Sequence, residues 1–316
     1  MKALVQTAAR EMVFRDAPEP EGPLVDVAFC GICGSDMHAY AGHDPRRPPP
    51  LILGHEIAGH DAAGRAVTVN PLVTCGSCPA CLAGRDNLCP TRQILSMPPR
   101  EGGFAERVAV PAANLVAIPD GVPLEAAALA EPLACGWHAV KLMRRIAPLG
   151  EALVFGGGAI GLGAALALHA LGAESVTLVE PNAARAARLA GLPGVRVTDT
   201  PHAAESVIDG VGIDATRAAA FAHVRPGGVI AHIGLGGGTG GFDPRRATLQ
   251  EITFFGTYTY TAEDFRETAE AIFDGRLPVA AHLEALTLTR PLAEGAEAFR
   301  DLALGAVAAP KVLLRP

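Results

Sequence analysis

The chain has 316 residues, 49% hydrophobic and 19% charged, with a formal net charge of −7. That composition supports a large core, excludes a disordered or collagen-like chain, and predicts about two domains at roughly 100–200 residues each. An excess of acidic residues with no basic run argues against a nucleic-acid partner, and no apolar run approaches the roughly 18 residues of a membrane span.

The start, Met1 to Thr7, lacks the long apolar stretch of a secretory signal, so a cytoplasmic protein is expected. The first third is rich in Pro and Gly. Val25–Phe29 and Phe104–Val110 alternate as half-buried strands do, predicting an irregular β region with its function in loops. Between them lie Cys33-Gly34-Ser35-Asp36-Met37-His38 and then Gly54-His55-Glu56. Cys, His and a carboxylate make a possible three-ligand metal set with a fourth position open. Ser35 and His38 add the polarity of a proton path. Spacing does not bring Cys33 and His55 together: Cys33 also suits a small core position, and His55-Glu56 a polar loop tip. Cys30 makes a C-x-x-C pair with Cys33, but reads better as a small buried hydrophobe than as a redox partner.

Asp44-Pro45-Arg46-Arg47 follows the first of these motifs. Two arginines there suit a phosphate or carboxylate on a substrate, although a solvated charged loop is the commoner meaning. Cys75, Cys78, Cys81 and Cys89 then fall within fifteen residues. Four thiolates on one loop suit a closed, tetrahedral structural zinc site. An iron–sulfur cluster also uses close cysteines, but the ferredoxin run ends with a three-residue gap and this one with seven. Free thiols at such density are the remaining alternative.

Near residue 121 the texture changes. Leu124 to Arg145 has helical spacing, and strands then alternate with helices: Ala152–Phe155, Ala159 to Leu171, Ser175–Glu180, Ala183 to Ala190, Ser206–Ile208 and Val229–Ile233. This predicts a parallel sheet covered on both faces. Gly156-Gly157-Gly158-Ala159-Ile160-Gly161 fits G-x-G-x-x-G between a strand and a helix, the context that gives the motif meaning. Gly156 permits the tight turn, Gly158 the approach of a pyrophosphate, and Gly161 close helix packing, while Ala159 and Ile160 open the helix. Glu180 ends the next strand, 19 residues after Gly161, where an acid binds ribose hydroxyls. Arg185 stands one helical turn on, able to turn to a phosphate or to pair with Glu180. Only eight residues separate Val197 from Ser206, fewer than a crossover helix needs, so either the crossover has no helix or the third strand is vestigial.

Ile252–Tyr258 is apolar and rich in β formers, as an edge strand that pairs with another chain would be. After a helix around Asp264 to Asp274, Leu286–Thr289 and Lys311–Leu314 are expected to return as strands to the first domain.

Gly31 to His38, Gly54-His55-Glu56, the four-cysteine loop, Glu131-Pro132-Leu133-Ala134 and the glycine turn occur in one order that resembles the zinc-dependent medium-chain alcohol dehydrogenases, closest to the polyol (sorbitol-like) and threonine dehydrogenase branch. The resemblance covers nearly the whole chain. It implies an α/β protein with a GroES-like β-rich catalytic domain (1–122 and 280–316), a Rossmann doubly wound parallel-sheet domain (123–279), and an active site in the cleft between them. It further implies Cys33, His55 and either Glu56 or Glu131 around a catalytic zinc, with a structural zinc at Cys75, Cys78, Cys81 and Cys89. By the same resemblance Asp36 orients a ligand histidine, Ser35 and His38 relay a proton, and hydride passes from a secondary alcohol or polyol to NAD. A homodimer, or a tetramer of two dimers, is implied as well. L-Threonine 3-dehydrogenase-like or sugar-phosphate dehydrogenase activity is the alternative, and a non-catalytic nucleotide-binding relative would have lost the open zinc site.

Overall fold

A computed structural model describes all residues from Met1 to Pro316. They form two compact units: Met1–Glu131, Thr261–Gly275 and Val279–Pro316 make the first, and Pro132–Tyr260 with Arg276–Pro278 the second.

The first unit is built around the strand Leu24–Gly31. It pairs antiparallel with Glu56–Asp61 on one side and with the closing strand Lys311–Arg315 on the other. Val25 and Val27 point into the core and Asp26 points out, a period-2 pattern that makes this a half-buried strand until both faces are covered near Cys30. The register sets Glu56 directly across from Gly31, and Leu313 across from Gly31 on the other side. The tail does return to this sheet: Thr287–Pro291 runs parallel to Lys311–Arg315. Tyr40 and Phe104 both pack on Phe299, with ring centroids 5.3 and 5.8 Å apart, so the C-terminal helix Gly295–Ala303 anchors the short helix Gly34–Tyr40. The hairpin of Glu56–Asp61 and Ala66–Val69 is tight. Its turn is closed by the Asp61 carboxylate, which accepts the N–H groups of Ala63 and Arg65.

The second unit holds a six-stranded parallel sheet. Its strands, in chain order, are Glu151–Phe155, Ser175–Val179, Arg196–Thr198, Ala204–Asp209, Val224–His232 and Thr253–Gly256. They lie in the spatial order third, second, first, fourth, fifth, sixth, which is the doubly wound arrangement of dinucleotide-binding sheets. Ala152 to Phe155 are all buried, as a strand covered on both faces requires.

The third strand is short but pairs in parallel along its length, so it is not vestigial. No helix follows it. The chain must move three strand spacings sideways, about 14 Å, and return about 16 Å along the strand. Six extended steps from Thr198 to Ala204 reach about 20–22 Å, which matches that diagonal and leaves no slack for a helix.

Candidate active site

Cys33, His55 and Glu56 arrive from two adjacent pieces of backbone. Cys33 ends the turn after Leu24–Gly31 and precedes the helix Gly34–Tyr40, and Glu56 opens the neighbouring strand. Their ligand atoms all lie within 4.8 Å of one another. Gly31 makes the room: a Cβ there would come within 1.9 Å of Glu56 Oε2. That oxygen is buried and has no hydrogen-bond partner, and neither has the buried hydroxyl of Ser35. A thiol, an imidazole and a carboxylate with an unsatisfied oxygen, converging within 4.8 Å, are a donor set that fits zinc with a position left for substrate.

Asp36 ties the two ligand segments together. Its Oδ2 accepts the backbone N–H of Cys33 at 2.9 Å, and its Oδ1 that of Gly54 at 3.3 Å and stands 3.6 Å from His55 Nδ1. Burial pushes its pKa up, but the charges of His55 and Arg47 and the Cys33 N–H outweigh this and hold the carboxyl below its ordinary value. His55 shows the matching effect: burial opposes a charged ring, yet Asp36 raises its pKa well above the usual histidine range. Burial also pushes the neighbouring Cys30 thiol well up, helped by the charges of Asp36 and Glu56, so this cysteine stays protonated.

Glu131 is buried at the start of the helix Ala130–Arg144 and lies outside the three-residue group, although its charge is felt at Lys311. Ser35 and His38 sit three residues apart on the helix Gly34–Tyr40, on one face. His38 lines an open pocket of about 550 Å³ with Gly34, Met37, Arg10 and Arg300, roomy enough for water to reach the ring.

Cys75, Cys78, Cys81 and Cys89 also have mutually close ligand atoms. Sulfur separations of 3.9 Å (Cys75–Cys81), 3.5 Å (Cys78–Cys81) and 3.6 Å (Cys89–Cys75) match the edge of about 3.8 Å for a tetrahedron with 2.3 Å arms. Backbone N–H groups of Ser77 and Cys78 pull the Cys75 thiol down to about 5, so one ligand is a thiolate before any metal arrives. The four sulfurs fit a closed zinc site.

In the second unit, Gly156 turns at φ +96°, a conformation glycine adopts freely. A Cβ on Gly161 would lie 1.8 Å from the carbonyl of Gly156, whereas one on Gly158 would meet nothing. The turn is therefore tight behind and open in front, where Ala159 and Ile160 begin the helix Ala159–Ala170. Glu180 follows the second strand. Its Oε2 accepts the Gly157 N–H and its Oε1 the Asn182 N–H, both at 2.8 Å, and Arg185 approaches Oε2 at 3.4 Å. The turn and the acid fit a dinucleotide.

Two residues at the first site, Ser96 and Lys311, carry no local signal in the sequence, and a third, Arg47, reads there as solvated. Ser96 places its hydroxyl 3.2 Å from His55 Nδ1. Lys311 donates to Glu56 Oε1 at 2.5 Å and to the Ile32 carbonyl at 3.0 Å. Arg47 is buried, not solvated. It donates to the carbonyls of Ser96 and Ser35 and to Asp44, which also pairs with the exposed Arg46.

The profile of the alcohol dehydrogenase GroES-like domain matches residues 19–120, and that of zinc-binding dehydrogenases residues 159–274. L-Galactonate-5-dehydrogenase of Escherichia coli (strain K12) is 33% identical over 306 residues, with 88% of each chain covered. Sorbitol dehydrogenase of Bacillus subtilis (strain 168) is 35% identical over 266 residues, 74% of this chain and 75% of that one. Among solved structures, a zinc-binding dehydrogenase from Sinorhizobium meliloti 1021 bound to NADP superposes with a TM-score of 0.87 at 29% identity, covering 100% of this chain and 99% of its own. With both domains matched and two thiol-bearing sites of the right chemistry, the chain belongs to the zinc-dependent medium-chain alcohol and polyol dehydrogenase family.

Proposed function

We propose that this dehydrogenase oxidises the secondary hydroxyl of a polyol or sugar acid, with Cys33, His55 and a carboxylate from Glu56 or Glu131 around the catalytic zinc and NAD at the glycine turn. The observation that carries the reading is the convergence of Cys33, His55 and Glu56, with Glu56 Oε2 buried and without a partner. The polyol and sugar-acid relatives support the substrate class. Simple diols and sugar phosphates are the neighbouring possibilities. The phosphate option is weakened because Asp44 engages both Arg46 and Arg47.

Zinc would supply Lewis acidity toward the substrate hydroxyl, and the dinucleotide the hydride acceptor. The chain's own residues do the rest. Ser35 Oγ receives the proton of the substrate hydroxyl and passes it toward His38 on the same helix face, whose pocket opens to water. Asp36 fixes the backbone of Cys33 and Gly54, so the ligands keep their places while the proton moves. Glu180 orients the ribose from the end of the second strand, and the helix start at Ala159 faces the pyrophosphate.

The four-cysteine loop acts as a structural zinc clamp for the first unit, and such thiolates suit a reducing cytoplasm. No helix is long and apolar enough to cross a membrane. The strand Thr253–Gly256 pairs on one side only, and its open edge is our candidate for the contact of a homodimer or a tetramer of dimers. The test is a screen of NAD reduction across polyols, sugar acids, sugar phosphates, threonine and simple secondary alcohols. Turnover confined to sugar phosphates or threonine would replace the substrate reading, and no turnover with any of them would remove it.

A further inference from the structure

Ser96 holds a backbone conformation that serine avoids. Its φ is +67°, in the left-handed region that glycine enters without strain, and the residue is fully buried. A turn alone would be made better by glycine, so the side chain is the feature to explain. Its hydroxyl lies 3.2 Å from His55 Nδ1, the closest polar contact that ring nitrogen makes. The turn is clamped from its backbone side: the Ser96 carbonyl accepts Arg47 Nε at 3.0 Å, and the same buried guanidinium holds the Ser35 carbonyl at 3.2 Å and Asp44 at 3.0 Å. Asp36, the other neighbour of the ring, stands farther off at 3.6 Å and already accepts the N–H groups of Cys33 and Gly54.

We propose that Ser96 is a positioning residue of the metal site: its hydroxyl accepts the Nδ1–H of His55 and so fixes the tautomer and ring angle that leave Nε2 as the metal donor. Asp36 aligns the two backbone segments that carry the ligands and faces the same ring nitrogen with its charge, and Ser96 adds the shorter contact that sets the ring angle. A histidine that binds metal through one nitrogen needs a partner for the other, and here a strained serine, held in place by Arg47, provides it. The inference rests on the reading of Cys33, His55 and Glu56 as a metal site.

Two substitutions separate a positioning role from packing. Ser96→Gly removes the hydroxyl and relieves the backbone; Ser96→Ala removes the hydroxyl and keeps the strain. Metal-free protein is titrated with Co²⁺, and the absorption of a Cys33→Ser variant is subtracted, which isolates this site from the four-cysteine loop. Ser96→Gly should bind Co²⁺ about 10–100-fold more weakly, the usual cost of losing such a partner. Its metal-free melting temperature should be equal to or above that of the parent. Ser96→Ala should lose similar affinity without that gain, and the ligand-field bands of both variants should shift. Unchanged cobalt affinity and bands in Ser96→Gly would overturn the proposal, as would a loss of affinity found only together with a lower metal-free melting temperature. If the parent protein shows no cobalt signal above the Cys33→Ser blank, the metal-site reading itself falls and this inference with it.

Discussion

Lys311 Nζ and Glu56 Oε1 meet at 2.5 Å across 255 positions of sequence, and both side chains are buried. The pairing follows from the sheet: Leu24–Gly31 lies between the strand that begins at Glu56 and the closing strand that begins at Lys311. Burial opposes the ammonium charge, but Glu56 and the nearby Cys33 and Glu131 outweigh it and hold the Lys311 pKa above its ordinary value. One carboxylate oxygen is thereby neutralised by protein, and the other, Oε2, has no hydrogen-bond partner, on a side chain that is grouped with Cys33 and His55.

Breaking that pair should be costly. Lys311→Met leaves a buried carboxylate uncompensated, and denaturant unfolding of the metal-free protein should show a loss of about 3–5 kcal/mol. Lys311→Met with Glu56→Gln should recover part of the loss, because the stranded charge is then gone. A loss below about 1 kcal/mol in the single variant would mean that Glu56 takes up a proton or finds another partner.

The two thiol-bearing sites should respond differently to the loss of a ligand. We expect about two zinc ions per chain, more tightly held in the four-cysteine loop. Cys33→Ser or His55→Ala should abolish turnover, remove one zinc and leave the melting curve nearly unchanged. Cys78→Ser should lower the melting temperature, since a closed zinc site contributes folding free energy directly. Elemental analysis with thermal melts decides it, and equal destabilisation in all three variants would end the division of roles.

The proton path gives a third prediction. Ser35→Ala leaves every ligand atom in place and removes only a buried hydroxyl that has no protein partner. Turnover should fall by roughly 10²–10⁴, the range of a general acid–base contribution, while affinity for the dinucleotide barely changes. Turnover within a few-fold of the parent would show that water carries the proton instead.

Local chemistry was legible in the sequence and distant geometry was not. The four cysteines fall within fifteen residues, and the glycine turn and Glu180 belong to one strand–helix–strand unit, so spacing alone supports reading them together. Cys33 and His55 are 22 residues apart, and only the pairing of Gly31 with Glu56 brings their segments side by side. Lys311 lies at the far end of the chain, and Ser96 matters through a positive φ that no residue pattern announces. Arg47 looks like half of a solvated pair with Arg46, yet the carbonyls of Ser35 and Ser96 draw it inside. The helix-free crossover was visible as a short gap. Whether the third strand survived depended on pairing that is not written locally.

The last prediction concerns the choice between NAD and NADP. Glu180 is 4% exposed, and both of its oxygens accept backbone N–H groups, from Gly157 and Asn182, so the carboxylate is fixed at the end of the strand and not free to swing away. NADP would bring a phosphate to this position. A carboxylate about 4 Å from a phosphate charge costs on the order of 4 kcal/mol at an effective dielectric near 20, or roughly three decades of affinity before solvent screening reduces it. Arg185 is a nearby cation that would soften this, and it is drawn to Glu180 at 3.4 Å. Catalytic efficiency should therefore favour NAD clearly, in contrast to the Sinorhizobium meliloti structure, which was solved with NADP. Glu180→Ser should narrow the gap from both sides. It removes the repulsion and frees Arg185 for the phosphate, and it also deprives the Gly157 and Asn182 N–H groups of their acceptor, so efficiency with NAD should drop as well. Steady-state kinetics of both proteins with both cofactors is the measurement. A parent enzyme that prefers NADP, or a Glu180→Ser variant whose preference is unchanged, would show that this carboxylate holds the turn together without reading the ribose.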